Sequence, residues 1–252
     1  MNEELLNELR IPLPMIRSLG VAGCTGRGIC VAVVDSGVQD GHPHVGRVDH
    51  GVRIDMEESG SVRVILDRSD AVGHGTACAG VIRALAPACA LASVRILDAS
   101  LVASSEALVS AIVWATDEGG ADVINLSLGT RNREIVPRLE DACRRARRKG
   151  AIIVAAAGND RELDYPAGFP DVIGVTSSSN GRFSVSPASP PIFYAPPYPR
   201  PIPGRAVEDN FKGPSFATAR ITGLIALMAE AHDGIDSVSA MEMLSRSLRK
   251  LP

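Results

Sequence analysis

Three side chains in this chain are of types that do acyl-transfer chemistry, and a fourth is placed to assist them. Ser215 stands between Gly213-Pro214 and the apolar run Ile221 to Met228, where the chain turns sharply into a helix. A hydroxyl there meets unpaired backbone N–H groups and the positive end of the helix dipole, which favour negative charge. That setting suits a nucleophile whose attack creates an oxyanion; it also suits a serine that only caps the helix. Asp35 closes the apolar run Ile29 to Val34, and open α/β sheets carry their chemistry at the carboxyl ends of buried strands. Its plainer reading is a turn or cap aspartate. His74 lies between Gly73 and Gly75 at the head of a small-residue helix, where the glycines permit close packing; a structural histidine is the alternative. Asn159 follows the apolar stretch Ala151 to Ala157 and Gly158. Its amide either donates into a site or serves a turn.

The elements that must hold these groups follow from hydrophobic patterning. Ile29 to Val34, Val62 to Leu66, Ala90 to Leu97, Val123 to Leu128, Ala151 to Ala157 and Val172 to Val175 read as strands. Between them run helical patterns: residues 2 to 20 in two short pieces, the small-residue segment after His74, and Glu106 to Glu118 capped by Ser104 or Ser105 and stopped by Gly119-Gly120. Arg138 to Lys149 and Asp236 to Leu248 are further helices. The basic run Arg144 to Lys149 reads as a solvated face, with cations matched to a helix C-terminus. Eight prolines between Pro187 and Pro203 predict an ordered or semi-extended surface loop. Strands alternating with helices imply α/β architecture with a mainly parallel sheet covered on both faces.

Composition narrows the function classes. At 252 residues the chain can bury one sizeable core, and it reads as a single domain over 1–252. A net charge of −3 implies neither a nucleic-acid nor a membrane partner, and the apolar runs are far short of the roughly 20 residues that span a bilayer. The acidic start Met1 to Leu6 lacks the pattern of a signal peptide. Five cysteines (Cys24, Cys30, Cys78, Cys89, Cys143) have no metal-ligand spacing. They read as reduced core residues of a cytoplasmic protein.

The aspartate, histidine and serine stand in the order Asp35, His74, Ser215, an aspartate-first order known among serine hydrolases. Around them, Val33-Val34-Asp35-Ser36-Gly37, Gly73-His74-Gly75-Thr76, Ile124-Asn125-Leu126-Ser127-Leu128-Gly129, Ala156-Ala157-Gly158-Asn159 and Ser215-Phe216-Ala217-Thr218 together resemble the subtilisin-like serine proteases. The motifs run in the family's order from about Pro12 to Met228. The resemblance implies a three-layer α/β fold and a serine endopeptidase with Asp35, His74 and Ser215 as its catalytic triad. It implies an oxyanion hole of Asn159 and the Ser215 N–H, and a peptide or protein substrate bound as an extended strand along Ser127, Leu128 and Gly129. Gly158 joins the substrate-binding residues, and no cofactor is needed.

Departures from the family pattern characterise this member. Pro214, Phe216 and Ala219-Arg220 replace the family's threonine, methionine and Pro-His around the nucleophile. Only Arg83 to Ala90 separate Ile82 from Leu91, too short for the calcium loop of secreted relatives, so no metal is expected. The chain starts close to where mature relatives start, so no pro-domain is expected. Asp164, just before Tyr165-Pro166, falls on the floor of the first specificity pocket by resemblance. It predicts a preference for arginine or lysine before the cleaved bond, unless it pairs with Arg161 or faces solvent. The same triad also serves a dedicated leader-peptide protease or a peptide ligase; a non-catalytic peptide-binding module is the remote rival.

Overall fold

The computed structural model describes residues 3–57, 61–158 and 164–251. Two short helices, α1 (Glu3–Glu8) and α2 (Leu13–Ser18), precede the first strand, β1 (Cys30–Asp35). Its side chains alternate between two cores. Val31 and Val33 join one apolar cluster, Ala32 and Val34 the other, and every residue from Val31 to Asp35 is buried. A strand buried on both faces reads as an unbroken apolar run, and each fully buried valine contributes about 1.5–3 kcal/mol.

The chain continues through β2 (His50–Met56), β3 (Val62–Leu66), α3 (His74–Leu85), β4 (Ala90–Arg95), α4 (Ser105–Asp117) and β5 (Val123–Leu126). Then come α5 (Val136–Arg148), β6 (Ile152–Ala156), β7 (Ile173–Ser177), β8 (Ser184–Val185), β9 (Ile192–Ala195), α6 (Pro214–Ala231) and α7 (Ser237–Leu248). The sheet has the order β3-β2-β4-β1-β5-β6-β7-β9-β8. It is parallel except at its two edge pairs, β2 with β3 and β8 with β9, so the expected mainly parallel α/β sheet is present. Helices α1, α2, α3, α6 and α7 cover one face and α4 and α5 the other. No helix among the described residues is long and apolar enough to cross a membrane.

Strand β1 pairs with β4 on one side and β5 on the other. The strand order therefore reverses at β1, and Asp35 stands at the carboxyl end of the switch-point strand, where the crevice of such a sheet opens. Two more strand ends converge there: β5 leads into Ser127 and β6 into Ala157-Gly158.

Caps follow the sequence rules. Ser104 accepts from the Ala107 N–H at 3.0 Å and Asp236 from the Ser239 N–H at 2.8 Å. The basic end of α5 is a solvated, ion-paired face: Arg144 reaches Glu140 and Asp141, Arg145 and Lys149 share Asp117, and Arg147 meets Asp171. Strand β2 carries a period-two alternation, Val52-Arg53-Ile54-Asp55-Met56, which the sequence reading passed over. The proline-dense segment departs from expectation too. Rather than a surface loop throughout, it contains β9, whose Ile192, Phe193 and Ala195 are buried in the sheet.

Arg220 explains how the rest of that segment is held. Its side chain is 2% exposed and donates to four carbonyls: Leu9 at 3.0 Å, Pro196 at 3.3 Å, Tyr198 at 2.5 Å and Phe216 at 3.1 Å. Burial, reinforced by the nearby Arg10 charge and opposed by Glu8, pulls its pKa down to about 9, so it remains a cation at neutral pH. The Gly213 N–H donates to Pro197 O at 2.9 Å, and Arg200 is paired with Glu8 at 2.7 Å. The N-terminal arm, the 196–200 segment and α6 thus form one framework. Arg220→Met is expected to leave carbonyls unpaired and cost about 3 kcal/mol, roughly 6–12 °C in Tm. Thermal unfolding measures it, and an unchanged Tm would refute this account.

Candidate active site

Asp35 is fully buried and its Oδ1 lies 2.7 Å from His74 Nδ1. The same oxygen accepts the Ser36 N–H at 2.7 Å. Its Oδ2 is buried without a hydrogen-bond partner among the described residues; the Cys78 sulfur is close by, within a cluster whose ligand atoms all lie within 4.8 Å of one another. The approach of α3 to Asp35 requires Gly75. A Cβ there would stand 2.1 Å from Gly37 O and 2.9 Å from Asp35 Cβ, a collision of backbone that nothing nearby can relieve.

His74 is 8% exposed. Burial lowers its pKa, but the Asp35 hydrogen bond and charge, with a further contribution from Asp70, outweigh that and leave it raised above 6.5. Phe216 packs against the imidazole at 5.2 Å between ring centroids and Phe211 meets it edge-on at 5.6 Å. Asp70, whose pKa is lowered, is filled by donors: Ser36 Oγ, Thr76 Oγ1 and the N–H groups of Val72, Gly73 and Thr76. Burial opposes that lowering, and the hydrogen bonds of Thr76, Ser36 and Gly73 overcome it. They fasten the loop that presents His74.

Ser215 follows Pro214 at the start of α6. Proline costs nothing at that position, because its missing N–H has no intrahelical partner there. The Ser215 hydroxyl donates to Ser127 O at 3.1 Å. Ser127 is held in turn: Asn125 Nδ2 donates to its Oγ at 2.8 Å, the Thr222 hydroxyl donates to Asn125 Oδ1 at 2.9 Å, and Ser127 Oγ contacts Cys78 Sγ at 3.4 Å. A chain of buried polar groups therefore runs from α6 to the segment beside the nucleophile. Cys78, read from sequence as a core thiol, is fully buried beneath the triad. Burial, then the Asp35 charge, keeps it a thiol rather than a thiolate.

The segment Ser127, Leu128, Gly129 lies at one side of Ser215. Residues Thr130 and Tyr165 pair in an antiparallel bridge with N–H···O distances of 2.8 and 2.9 Å. That bridge carries Asp164 to Gly129: a Cβ on Gly129 would stand 2.9 Å from Asp164 Cβ. Arg161, one partner considered for Asp164 from the sequence, lies outside the described residues. Asp164 Oδ1 accepts from Arg131 Nε at 2.6 Å, a partner the sequence reading did not identify. Gly158 lies two residues beyond the end of β6, and its carbonyl accepts from the Thr176 hydroxyl at 3.4 Å. Asn159 lies outside the described residues.

A paired aspartate and histidine at the switch point of a parallel sheet, with Cys78 between them and a serine at a helix N-terminus, are the groups a serine hydrolase uses. The family model described as "Subtilase family" matches residues 26–251. Subtilisin E of Bacillus subtilis is 30% identical over 243 residues, covering 88% of this chain and 60% of that protein. Thermitase of Thermoactinomyces vulgaris is 31% identical over 237 residues, covering 85% of this chain and 80% of that protein. The solved structure of a cold adapted subtilisin-like serine proteinase superposes with a TM-score of 0.68 at 24% identity, over 89% of this chain and 83% of that one; that likeness concerns the fold. The chain thus spans 60% of the length of subtilisin E. It belongs to the subtilase family of serine peptidases.

Proposed function

We propose that this chain is a serine endopeptidase that hydrolyses peptide bonds through an acyl-enzyme intermediate. The observation that carries the reading is the 2.7 Å pairing of buried Asp35 with His74 in the crevice that also holds Ser215. In this reading Ser215 Oγ attacks the scissile carbonyl while His74 Nε2 takes its proton. The imidazolium, stabilised by Asp35, then gives that proton to the leaving amine, and water deacylates the serine by the same route. The backbone N–H of Ser215, at the α6 N-terminus, faces the developing oxyanion; Asn159 is the proposed second donor on the strength of the family resemblance.

Substrate would enter as an extended strand along Ser127–Gly129, where the peptide N–H groups find backbone acceptors. One of these is Ser127 O, which the nucleophile's hydroxyl occupies in the free protein. A substrate N–H that takes that carbonyl releases the hydroxyl to His74. The test is reaction with a fluorophosphonate probe together with cleavage of a diverse peptide library. Neither labelling nor cleavage would overturn the peptidase reading.

For the residue before the cleaved bond we propose a basic side chain directed to Asp164, which borders Gly129. Arg131 already occupies one oxygen of that carboxylate, yet it is 49% exposed, and exposed ion pairs contribute little and yield readily to a competitor. Arg131→Ala is therefore expected to raise the preference for arginine over leucine at that position by about tenfold, and Asp164→Asn to erase it. Paired peptides differing only there measure the ratio; a wild-type preference for leucine, unmoved by either change, would discard the acidic pocket. The five free thiols support a reducing, cytoplasmic setting.

A further inference from the structure

Next to His74, and sharing no lining residue with the Ser127–Gly129 and Asp164 side, lies a cavity of about 660 Å³. Its apolar walls are Pro43, Ala77, Pro199, Ile202, Pro203 and Phe211. Phe211 is shared with the active site, since its ring meets His74 edge-on at 5.6 Å and stacks on Phe216 at 6.0 Å. Gly73, the residue before His74, also lines the cavity. The proline-dense segment supplies one wall, and the Arg220 and Glu8 contacts hold that wall in place.

Asp70, Arg200, Asn210 and His42, four of the polar residues that face this space beside Gln39 and His44, are already engaged. The Asp70 carboxylate is filled by hydroxyl and N–H donors from Ser36, Val72, Gly73 and Thr76. Arg200 is bound to Glu8. Asn210 donates to Arg200 O and accepts from the Phe211 N–H, and His42 Nδ1 accepts from the His44 N–H. A charged ligand side chain entering here would lose water and find its natural partners taken, whereas an apolar one would bury its surface against proline, isoleucine and phenylalanine. The cavity is large enough for one bulky side chain with adjoining backbone.

Its position says which part of a substrate reaches it. The acyl half of a cleaved peptide lies along Ser127–Gly129, on the far side of Ser215. His74 hands its proton to the leaving amine, so the leaving half departs past His74 and Phe211. We propose that this cavity is a specificity pocket for a large apolar side chain, aromatic or aliphatic, within the first three residues after the cleaved bond. The substrate class is thus a polypeptide with an apolar residue just beyond the bond that breaks. This rests on the peptidase reading, and the test separates the two.

Quenched fluorescent peptides with one constant acyl half are varied only in the second and third residues after the bond, with Phe or Leu set against Ala or Asp. The expected kcat/KM is about tenfold or more higher for Phe and Leu than for Ala. Ile202→Glu, a change in an exposed loop, is expected to bring that ratio to about one by lowering kcat/KM for the Phe and Leu peptides. A wild-type ratio near one, or a ratio that Ile202→Glu does not alter, overturns the pocket but leaves the peptidase reading standing. Where Ser215 labels but no peptide is cleaved, the same peptides are assayed as protectants. Stronger protection by the Phe peptide than by the Ala peptide then supports the pocket, and equal protection overturns it. Loss of both labelling and cleavage overturns the peptidase reading and the pocket with it.

Discussion

Ser215→Ala is expected to lower kcat by about a millionfold, the scale of loss seen when the nucleophile is removed from subtilisin, a relative of this chain. The reason is chemical rather than structural. Alanine removes the one group that forms a covalent bond to the acyl carbon, while the α6 N-terminus and the substrate-binding segment keep their places. The fold is expected to change little. Among the described residues the side-chain hydrogen bond lost is the one from Ser215 to Ser127 O, with a net contribution of about 1 kcal/mol. The measurement is kcat and KM on a cleaved reporter peptide beside a thermal unfolding curve. Activity within tenfold of wild type, with the fold intact, would remove Ser215 from the mechanism. A residual rate above the uncatalysed reaction is expected, because the oxyanion site remains.

The second large effect concerns Asp35. Asp35→Asn is expected to reduce kcat by about 10⁴-fold, because an amide that donates to Nδ1 fixes the imidazole in the tautomer that cannot accept the serine proton. The pH profile adds a readout that simple loss of structure would not produce. Catalysis needs neutral His74. Burial lowers its pKa, but the Asp35 hydrogen bond and charge, with Asp70, carry it above 6.5. Wild-type kcat/KM should therefore rise with pH and reach half its plateau above 6.5, and the asparagine variant should shift that midpoint to lower pH as burial prevails. The linked stability has the opposite slope. A raised histidine pKa stabilises the fold fully below about 6.5, the unfolded value, and the benefit is lost as pH rises through the folded value. A variant whose midpoint moves upward would contradict the assigned pairing.

The buried thiol and the buried guanidinium show where reading residues one at a time stops being informative. Cys78 was visible as a core thiol and Arg220 as a departure from the family pattern, but neither position says what it touches. Cys78 lies against Ser127 and Asp35 because α3 crosses the carboxyl ends of β1 and β5. Arg220 is satisfied by carbonyls from Leu9, Pro196 and Tyr198, between 22 and 211 residues away in the chain. Strand β2 was missed for a related reason. Its alternation Val52-Arg53-Ile54-Asp55-Met56 spans only five residues, and it is the pairing with β3 and β4, one strand in from the sheet edge, that fixes it as a strand.

What the amino-acid sequence determined by itself is local chemistry and its order along the chain. Unbroken apolar runs specify strands buried on both faces, as in Val31–Val34. Gly-Pro before an apolar run specifies the turn that presents Ser215, and serine and aspartate caps specify where α4 and α7 begin. Those properties depend on neighbours a few residues apart, so they can be read in order, and the succession Asp35, His74, Ser215 within five motifs was enough to indicate a subtilase. Tertiary structure alone decided which distant groups meet: Arg131 with Asp164, Phe211 with His74, Arg200 with Glu8, and the proline-dense segment with the nucleophile helix. Each of these pairs depends on how separate crossovers return the chain to one crevice. The energy of a contact between groups so placed depends on burial and geometry that no stretch of sequence contains.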